Sequence, residues 1–270
     1  MSLYLPLNLK SMGVMNFTPN SFSDGGELST VNLLEERLES FGPVDILDIG
    51  AESTAPMNAS ITPEEEWKRL SPYLSWLLAL NLPLSIDTYH PETIFKFCDK
   101  WIEYAKKSPL IWNDVSGKID DSVRDFLNRS DNFHYVFCHN LAPTRALSGS
   151  HMSYLSHAEG DDFLQELSGY FKKFHHPRLI IDPCLGFSKT YEQNWYVLEH
   201  FEKLQQLVPA QRWLVGFSRK SFLRKKYGIE KVTPATRDQL DDFHRLELAR
   251  LKKNWQGEIW IRTHRPSLLK

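Results

Sequence analysis

The chain has 270 residues, a length that suits one α/β barrel or two smaller domains. Its net charge of -2 at pH 7 gives no overall basic field, so nucleic acid is excluded as the expected partner and a small-molecule ligand is favoured. The 3 cysteines are far apart in the sequence, which predicts a reducing, cytoplasmic environment. No secretion signal is recognisable, and no apolar run reaches the roughly 18 residues of a membrane span, so we expect no membrane partner.

Short apolar runs alternate with longer helical patterns along the whole chain, which is typical of repeated βα units. No linker rich in Pro, Gly or Ser interrupts them, so we expect a single domain over residues 1–270. The predicted strands are 13–15, 46–47, 84–86, 110–112, 135–138, 179–181, 213–215 and 259–261.

Three signals mark helices between these runs. Thr62 followed by Glu65, and Thr190 followed by Gln193, predict capping boxes at two helix N-termini. Apolar residues at helical spacing over 67–78 predict one amphipathic core helix.

A polar residue or a polar turn closes every predicted strand. In a (β/α)8 TIM barrel all carboxyl ends of the strands meet at one mouth, whereas a doubly wound sheet gathers ligands at its switch point only. One such residue alone can equally be a turn or a helix cap, but the complete set favours the barrel. A metal-hydrolase barrel is disfavoured because no HxH follows the first strand. The closing residues are Asn16, Asp48, Asp87, Asn113, His139, Asp182, the turn 216–220, and Arg262 with His264.

Seven motifs occur in order along nearly the whole chain, and by them the sequence resembles the dihydropteroate synthase family. The resemblance implies a transferase of folate biosynthesis that joins 6-hydroxymethyl-7,8-dihydropterin pyrophosphate to 4-aminobenzoate, and a target of sulfonamides. The motifs are N-x-T-P-x-S-F-S-D-G-G at 16–26, D-I-G-x-E-S-T-x-P at 48–56, S-I-D-T at 85–88, N-D-V-S-G at 113–117, D-P-x-x-G-F-x-K at 182–189, G-F-S-R-K-S-F at 216–222 and R-x-H at 262–264.

The resemblance implies a pterin site whose acids and amides pair with the N–H edge of a flat heterocycle. The alternative for Asp87 and Asp182 is that they cap the helices that follow them. The implied pterin ligands are Thr54, Asp87, Asn113, Asp182 and Lys220.

For the pyrophosphate, the resemblance implies Arg262, His264 and Asn16, with Asn16 also binding Mg²⁺. Arg grips phosphate with two parallel hydrogen bonds and His adds a donor, which suits Arg262 and His264 to this role. By the resemblance, these two residues and Lys220, which can reach the pterin carbonyl, are the expected catalytic residues. The alternative for Arg262 is a salt bridge at the barrel rim.

The resemblance assigns the aminobenzoate to the helix that opens after the seventh strand and to two loops. Helix N-termini bind anions through free N–H groups, although an ordinary N-cap explains a lone Ser equally well. We expect the loops 16–26 and 49–56 to close over the site. The implied residues are Phe22, Thr54, Pro56, Phe187 and Ser221.

The chain departs from the family pattern mainly in these two loops. Asn20 replaces Asp, Ala55 replaces Arg, Cys184 replaces Gly, and Arg265 replaces Asp at a position where its charge can compensate for Ala55. Ala51 also replaces Gly. Two alternatives therefore stay open: a non-catalytic or altered-specificity pterin-binding paralogue, and, less favoured, a pterin-dependent methyltransferase.

Only 6 residues, RPSLLK, follow His264, which is too few for an eighth barrel helix of about 10 residues. We expect that helix to be missing or substituted. Apolar residues of the helix at 239–255 would then be exposed unless another surface packs against them. The resemblance implies a homodimer, because family members are commonly homodimers through this region. We therefore expect either an atypical homodimer or a partner that fills the gap.

Overall fold

The computed structural model describes residues 6–17, 31–52, 61–210 and 212–269. Eight parallel strands form a closed barrel in sequence order, and the predicted (β/α)8 architecture is confirmed. The ring closes where β1 pairs with β8, with Met12 opposite Arg262. The strands are β1 Asn8–Asn16, β2 Ile46–Gly50, β3 Leu84–Asp87, β4 Leu110–Asp114, β5 Phe133–Cys138, β6 Leu179–Asp182, β7 Arg212–Val215 and β8 Glu258–Thr263.

Helices surround the barrel. The helix predicted over 67–78 is divided in two by the 3-10 segment Ser71–Tyr73, because Pro72 has no backbone N–H to continue an α-helix. The described α-helices are α1 Val31–Ser40, α2 Pro63–Leu70, α3 Leu74–Ala79, α4 Pro91–Glu103, α5 Asp121–Arg129, α6 Gly160–Phe171, α7 Tyr191–Glu199, α8 Phe201–Leu207, α9 Ser221–Lys226 and α10 Pro234–Leu251, and further 3-10 segments are Arg145–Ser153, Lys252–Asn254 and Pro266–Leu269.

The two predicted capping boxes differ in the structure. Thr190 and Gln193 form both reciprocal bonds at the start of α7. Thr62 accepts from the Glu65 N–H at 3.2 Å, but the Glu65 carboxylate instead bonds to Arg69 one turn later. The cap at Thr62 is therefore present, and the reciprocal half of its box was predicted wrongly.

The core has two layers because strand side chains alternate between the barrel interior and the helices. Tyr135 and Phe137 belong to the large cluster shared with the helices, whereas Val136 and Cys138 belong to a smaller cluster with residues of other strands. This alternation directs Cys138 towards the mouth of the barrel. None of the described helices has the length and apolar character that crossing a bilayer requires.

The seam beside β1 carries the 3-10 segment Pro266–Leu269 in place of an eighth α-helix among the described residues. Pro266 is buried here, and a Cβ on Gly13 would lie 2.8 Å from the Phe41 ring and 2.9 Å from the Pro266 side chain. Only glycine allows this close approach. The segment thus covers part of the seam that the sequence predicted to be open, while Leu246 on α10 stays 57% exposed.

Candidate functional site

A cavity of about 500 Å³ opens at the carboxyl ends of the strands. Each strand, or the loop directly after it, contributes a wall, as expected for a closed barrel. Taken in strand order, contributing residues are Asn16, Glu52, Asp87, Asn113, Cys138, Asp182, Gly216 and Arg262.

The structure brings most of the predicted site residues to this one cavity. Phe22, Thr54 and Pro56 lie outside the described residues, as do the departures Asn20 and Ala55. The predicted residues that line the cavity are Asn16, Asp87, Asn113, Asp182, Phe187, Lys220, Ser221, Arg262 and His264.

Arg262 joins two carboxylates across the barrel. Its Nε donates to Asp48 at 2.7 Å and its Nη2 donates to Asp87 at 2.5 Å. Burial alone would lower the pKa of Arg262, but the two carboxylates outweigh burial and raise the pKa above its ordinary value. Burial raises the pKa of Asp87 to about 7, and Arg262 opposes that shift. Arg262 therefore does form the ion pairs that were given above as the alternative to phosphate binding. Its Nη1 has no partner among the described residues.

Asp48 is the residue that sequence reasoning left without a role. It is fully buried and accepts from Ser85 at 2.7 Å and from Asn113 at 3.1 Å, in addition to Arg262. These bonds orient the Asn113 amide and the Arg262 guanidinium at the floor of the cavity. The sequence does place Asp48 within an apolar strand, and a buried carboxylate requires hydrogen-bond or ion-pair partners. That position could have indicated a role for Asp48.

His264 lies beside Ser218, whose Oγ is 3.1 Å from its Nδ1. Burial, together with the positive charges of Arg219 and Arg262, keeps the pKa of His264 well below its usual range. The ring is therefore neutral at physiological pH and offers one donor and one acceptor.

Lys220 and Phe187 line the cavity from the segments that follow β7 and β6. The Lys220 ammonium lies 4.4 Å from the centre of the Phe187 ring, and the His151 ring packs against the same phenyl at 4.0 Å. Burial lowers the pKa of Lys220. A Cβ on Gly186, whose φ is +85°, would lie 3.2 Å from Lys220 Cδ, so glycine lets the lysine pass. His151 was not predicted, since the loop after β5 carries no family motif.

Cys184 holds Asp182 in place from a strained backbone position. Its φ is +53°, in the left-handed region that costs a non-glycine residue about 1–2 kcal/mol, and the family pattern has Gly there. The Cys184 N–H donates to Asp182 Oδ1 at 2.6 Å. Burial raises the pKa of Asp182.

Lys189, the last residue of its motif, supports this loop from below. Its buried ammonium bonds to His139 Nδ1 at 2.8 Å and to the Phe187 carbonyl at 3.1 Å. Burial lowers the pKa of Lys189 to about 8. The strand-end His139 is therefore a structural partner of Lys189 and does not line the cavity.

Cations of the last helices line the outer rim of the cavity, among them Arg219, Arg224 and Arg237. Arg219 is held by two bonds to Asp241, at 2.8 and 2.7 Å. Arg265 is absent from the cavity lining and instead pairs with Asp238 at 3.1 Å. Its expected role in compensating for Ala55 therefore has no support in the described residues.

The residues present are compatible with Mg²⁺ near β1. The Asn16 side chain lines the cavity and makes no hydrogen bond within the described part of the chain. Magnesium takes oxygen ligands, keeps several waters and is commonly completed by substrate phosphates, so a single amide oxygen from the protein suits it.

Comparison with known proteins agrees with this geometry. The family model described as "Pterin binding enzyme" matches residues 12–248. A mitochondrial folate synthesis bifunctional protein of Pisum sativum is 33% identical over 232 residues, which cover 78% of this chain and 43% of that protein. The dihydropteroate synthase of Neisseria meningitidis serogroup C is 30% identical over 232 residues, covering 81% of this chain and 77% of that enzyme.

Among solved structures, the Xanthomonas albilineans dihydropteroate synthase with 4-aminobenzoic acid superposes with a TM-score of 0.73. It is 26% identical, and the match covers 96% of this chain and 88% of that one. The fold and site therefore define a barrel enzyme of the kind that binds a heterocycle at its mouth. The chain belongs to the pterin-binding enzyme family, and the resemblance indicated by its motifs is confirmed.

Proposed function

We propose that this chain is a dihydropteroate synthase. It condenses 6-hydroxymethyl-7,8-dihydropterin pyrophosphate with 4-aminobenzoate and releases pyrophosphate, in the step of folate biosynthesis that sulfonamides block. The observation that carries the proposal is that Asp87, Asn113, Asp182 and Lys220 line one cavity together with Arg262 and His264. The chain spans less than half of the bifunctional relative from pea, and most of the synthase from Neisseria.

In this proposal the pterin ring lies deepest. The carboxylate of Asp182 accepts from its N–H edge, Asn113 supplies an amide, and Lys220 donates to the ring carbonyl. Because Asp48 and Cys184 fix Asn113 and Asp182 beforehand, the site pays little ordering entropy when the pterin binds.

The aminobenzoate then lies towards the rim. Phe187 packs against its ring, and the N–H groups at the start of α9, beginning at Ser221, meet its carboxylate. Phe22, Thr54 and Pro56 complete this pocket in the family pattern, and closure of their loops over the site stays a prediction.

The reaction breaks the C–O bond between the pterin methylene and the pyrophosphate, and the electron pair leaves with the oxygen. The amine nitrogen of aminobenzoate forms the new C–N bond and afterwards loses one proton. Arg262 and His264 stabilise the charge that grows on the leaving group, through groups already oriented by Asp48 and Ser218. Mg²⁺, held by Asn16, supplies further neutralisation of the diphosphate when bound.

The proposal is tested by following pyrophosphate release from the pterin pyrophosphate and 4-aminobenzoate with Mg²⁺. Wild-type protein turns over, and Asp182→Asn lowers kcat/KM about 10- to 100-fold, because an NH2 donor replaces the second carboxylate oxygen that accepts from the pterin N–H edge. Asp161→Asn, on the exposed side of α6, keeps wild-type activity. Tight pterin binding without turnover by the wild type would instead identify the non-catalytic paralogue.

Two further properties belong to this proposal. We place the enzyme in the cytoplasm, which the 3 unpaired cysteines support. We also propose a homodimer through α10, where Leu246 is exposed.

A further inference from the structure

Two thiols and a carboxylate lie together on the cavity wall. Cys138 ends β5, Asp182 ends β6, and Cys184 follows two residues later. Their exposed fractions are only 1%, 8% and 5%, yet all three line the cavity. Their ligand atoms lie within 4.8 Å of one another, and no other such trio of His, Cys, Asp or Glu occurs in the described part of the chain.

The spacing of these atoms suits a tetrahedral metal ion. Zinc binds sulfur at about 2.3 Å and carboxylate oxygen at about 2.0–2.2 Å, which places S and O about 3.5 Å apart and two S atoms about 3.8 Å apart. Cys138 Sγ already lies 3.8 Å from Asp182 Oδ2. Asp182 Oδ1 is fixed by the Cys184 N–H, whereas Oδ2 faces the Cys138 thiol and can bind the metal once that thiol has lost its proton.

The surrounding charges favour such a complex. A divalent cation with two thiolates and one carboxylate carries one net negative charge. Lys189 and Lys220 both interact electrostatically with Cys184 and Asp182, so two cations lie beside this net negative charge. Metal binding releases one proton from each of the two thiols to solvent.

We infer that Cys138, Asp182 and Cys184 form a binding site for a thiophilic divalent cation such as Zn²⁺, with the cavity supplying the fourth ligand position. The bound cation excludes a pterin from Asp182, a consequence that rests on the proposed function. Thiolates select Zn²⁺ over Mg²⁺, so this site does not compete for the ion assigned to Asn16.

Metal counting tests the site without any pterin. Untagged protein is dialysed against Zn²⁺ in excess Mg²⁺, and zinc per chain is measured by atomic emission. Wild type and Cys98→Ala, whose thiol is buried in α4, each hold one zinc. Cys138→Ser and Cys184→Gly bind zinc at least tenfold more weakly. Zinc retained by both of these variants, or zinc absent from the wild type, overturns the inference.

Loss of zinc by Cys184→Gly cannot be attributed to misfolding, because glycine adopts φ +53° without the strain that cysteine has there. The circular dichroism spectrum is expected to match the wild type, and the unfolding midpoint is expected not to fall below it. Co²⁺ gives a second readout, since a thiolate-to-metal charge-transfer band appears in the wild type and is lost in both cysteine variants.

The exclusion of pterin is tested separately with 6-hydroxymethylpterin and its fluorescence. Zn²⁺ weakens pterin binding at least tenfold in the wild type and leaves it unchanged in Cys184→Gly. Unchanged pterin affinity in zinc-loaded wild type overturns the exclusion. Failure of metal-free protein to bind pterin at all would count against the proposed function, while the metal count would still stand.

Discussion

Asp48 and Arg262 are 214 residues apart in the chain and form an ion pair of 2.7 Å inside the barrel. Asp48 also accepts hydrogen bonds from Ser85 and Asn113, so this residue of β2 is bonded to side chains of β3, β4 and β8. The ion pair therefore both stabilises the folded barrel and positions the Arg262 guanidinium in the site.

Asp48→Ala is expected to lower the free energy of unfolding by about 2–4 kcal/mol, because it leaves the buried Ser85 and Asn113 donors without this acceptor and the partly buried Arg262 with Asp87 alone. Urea denaturation measures this loss. The matched control is Asp99→Ala, which breaks an exposed pair with Arg129 and should cost at most about 1 kcal/mol. Equal losses in the two variants would contradict the role given to Asp48.

His244 makes the protein sensitive to acid. Burial and the nearby Arg219 lower its pKa from 6.5 to about 3. Between these values the unfolded chain binds the proton more readily than the folded one, so this residue lowers the free energy of unfolding by about 1.4 kcal/mol for each pH unit below 6.5. Its contribution is fully present above pH 6.5.

Asp87 has the opposite effect, because its pKa is raised to about 7 and its protonation increases the free energy of unfolding as the pH falls. Comparison of variants separates the contribution of His244 from that of Asp87. His244→Gln is expected to flatten the acid limb of the stability profile, as measured by urea denaturation across the window. The exposed His175→Gln keeps the wild-type slope. A profile for His244→Gln parallel to the wild type would refute the assignment.

Asn16→Ala is expected to raise the Mg²⁺ concentration needed for half-maximal pyrophosphate release about tenfold or more, equivalent to at least about 1.4 kcal/mol. Removing Mg²⁺ with a chelator should stop the reaction in the wild type. Asn132→Ala, in the loop before β5, keeps the wild-type requirement. An unchanged Mg²⁺ requirement in Asn16→Ala would remove this residue from the metal site.

Leu246→Glu is expected to shift the protein from dimer towards monomer, since it places a charge in the apolar contact proposed on α10. Sedimentation velocity over a range of concentrations measures the change. Arg245→Glu, the exposed neighbour, serves as the control for added negative charge. A wild type that sediments as a monomer at all concentrations would refute the dimer itself.

The barrel was predictable because its signals are local. Each predicted strand is a short apolar run followed by a polar residue or a polar turn, so residues such as Asn16 and Asp182 indicate a shared mouth from the sequence alone. The same locality explains the cap at Thr190, which depends on residues only three positions apart.

The remaining features depend on distant contacts. The partners of Asp48 are set by barrel closure, and Arg262 bonds to carboxylates on two other strands, which no local pattern encodes. His151 comes from a loop without a motif. Cys138 and Cys184 are 46 positions apart and meet only because β5 and β6 pair in parallel.

The pairing of β1 with β8 has a consequence for synthesis of the protein. While α10 is still emerging from the ribosome, β1 and β7 each present an unpaired edge, because the strand that joins them has not yet been made. Open edges of this kind invite pairing with other chains. The nascent chain therefore passes through a stage in which a chaperone can protect it, and this exposure ends when β8 enters the ring.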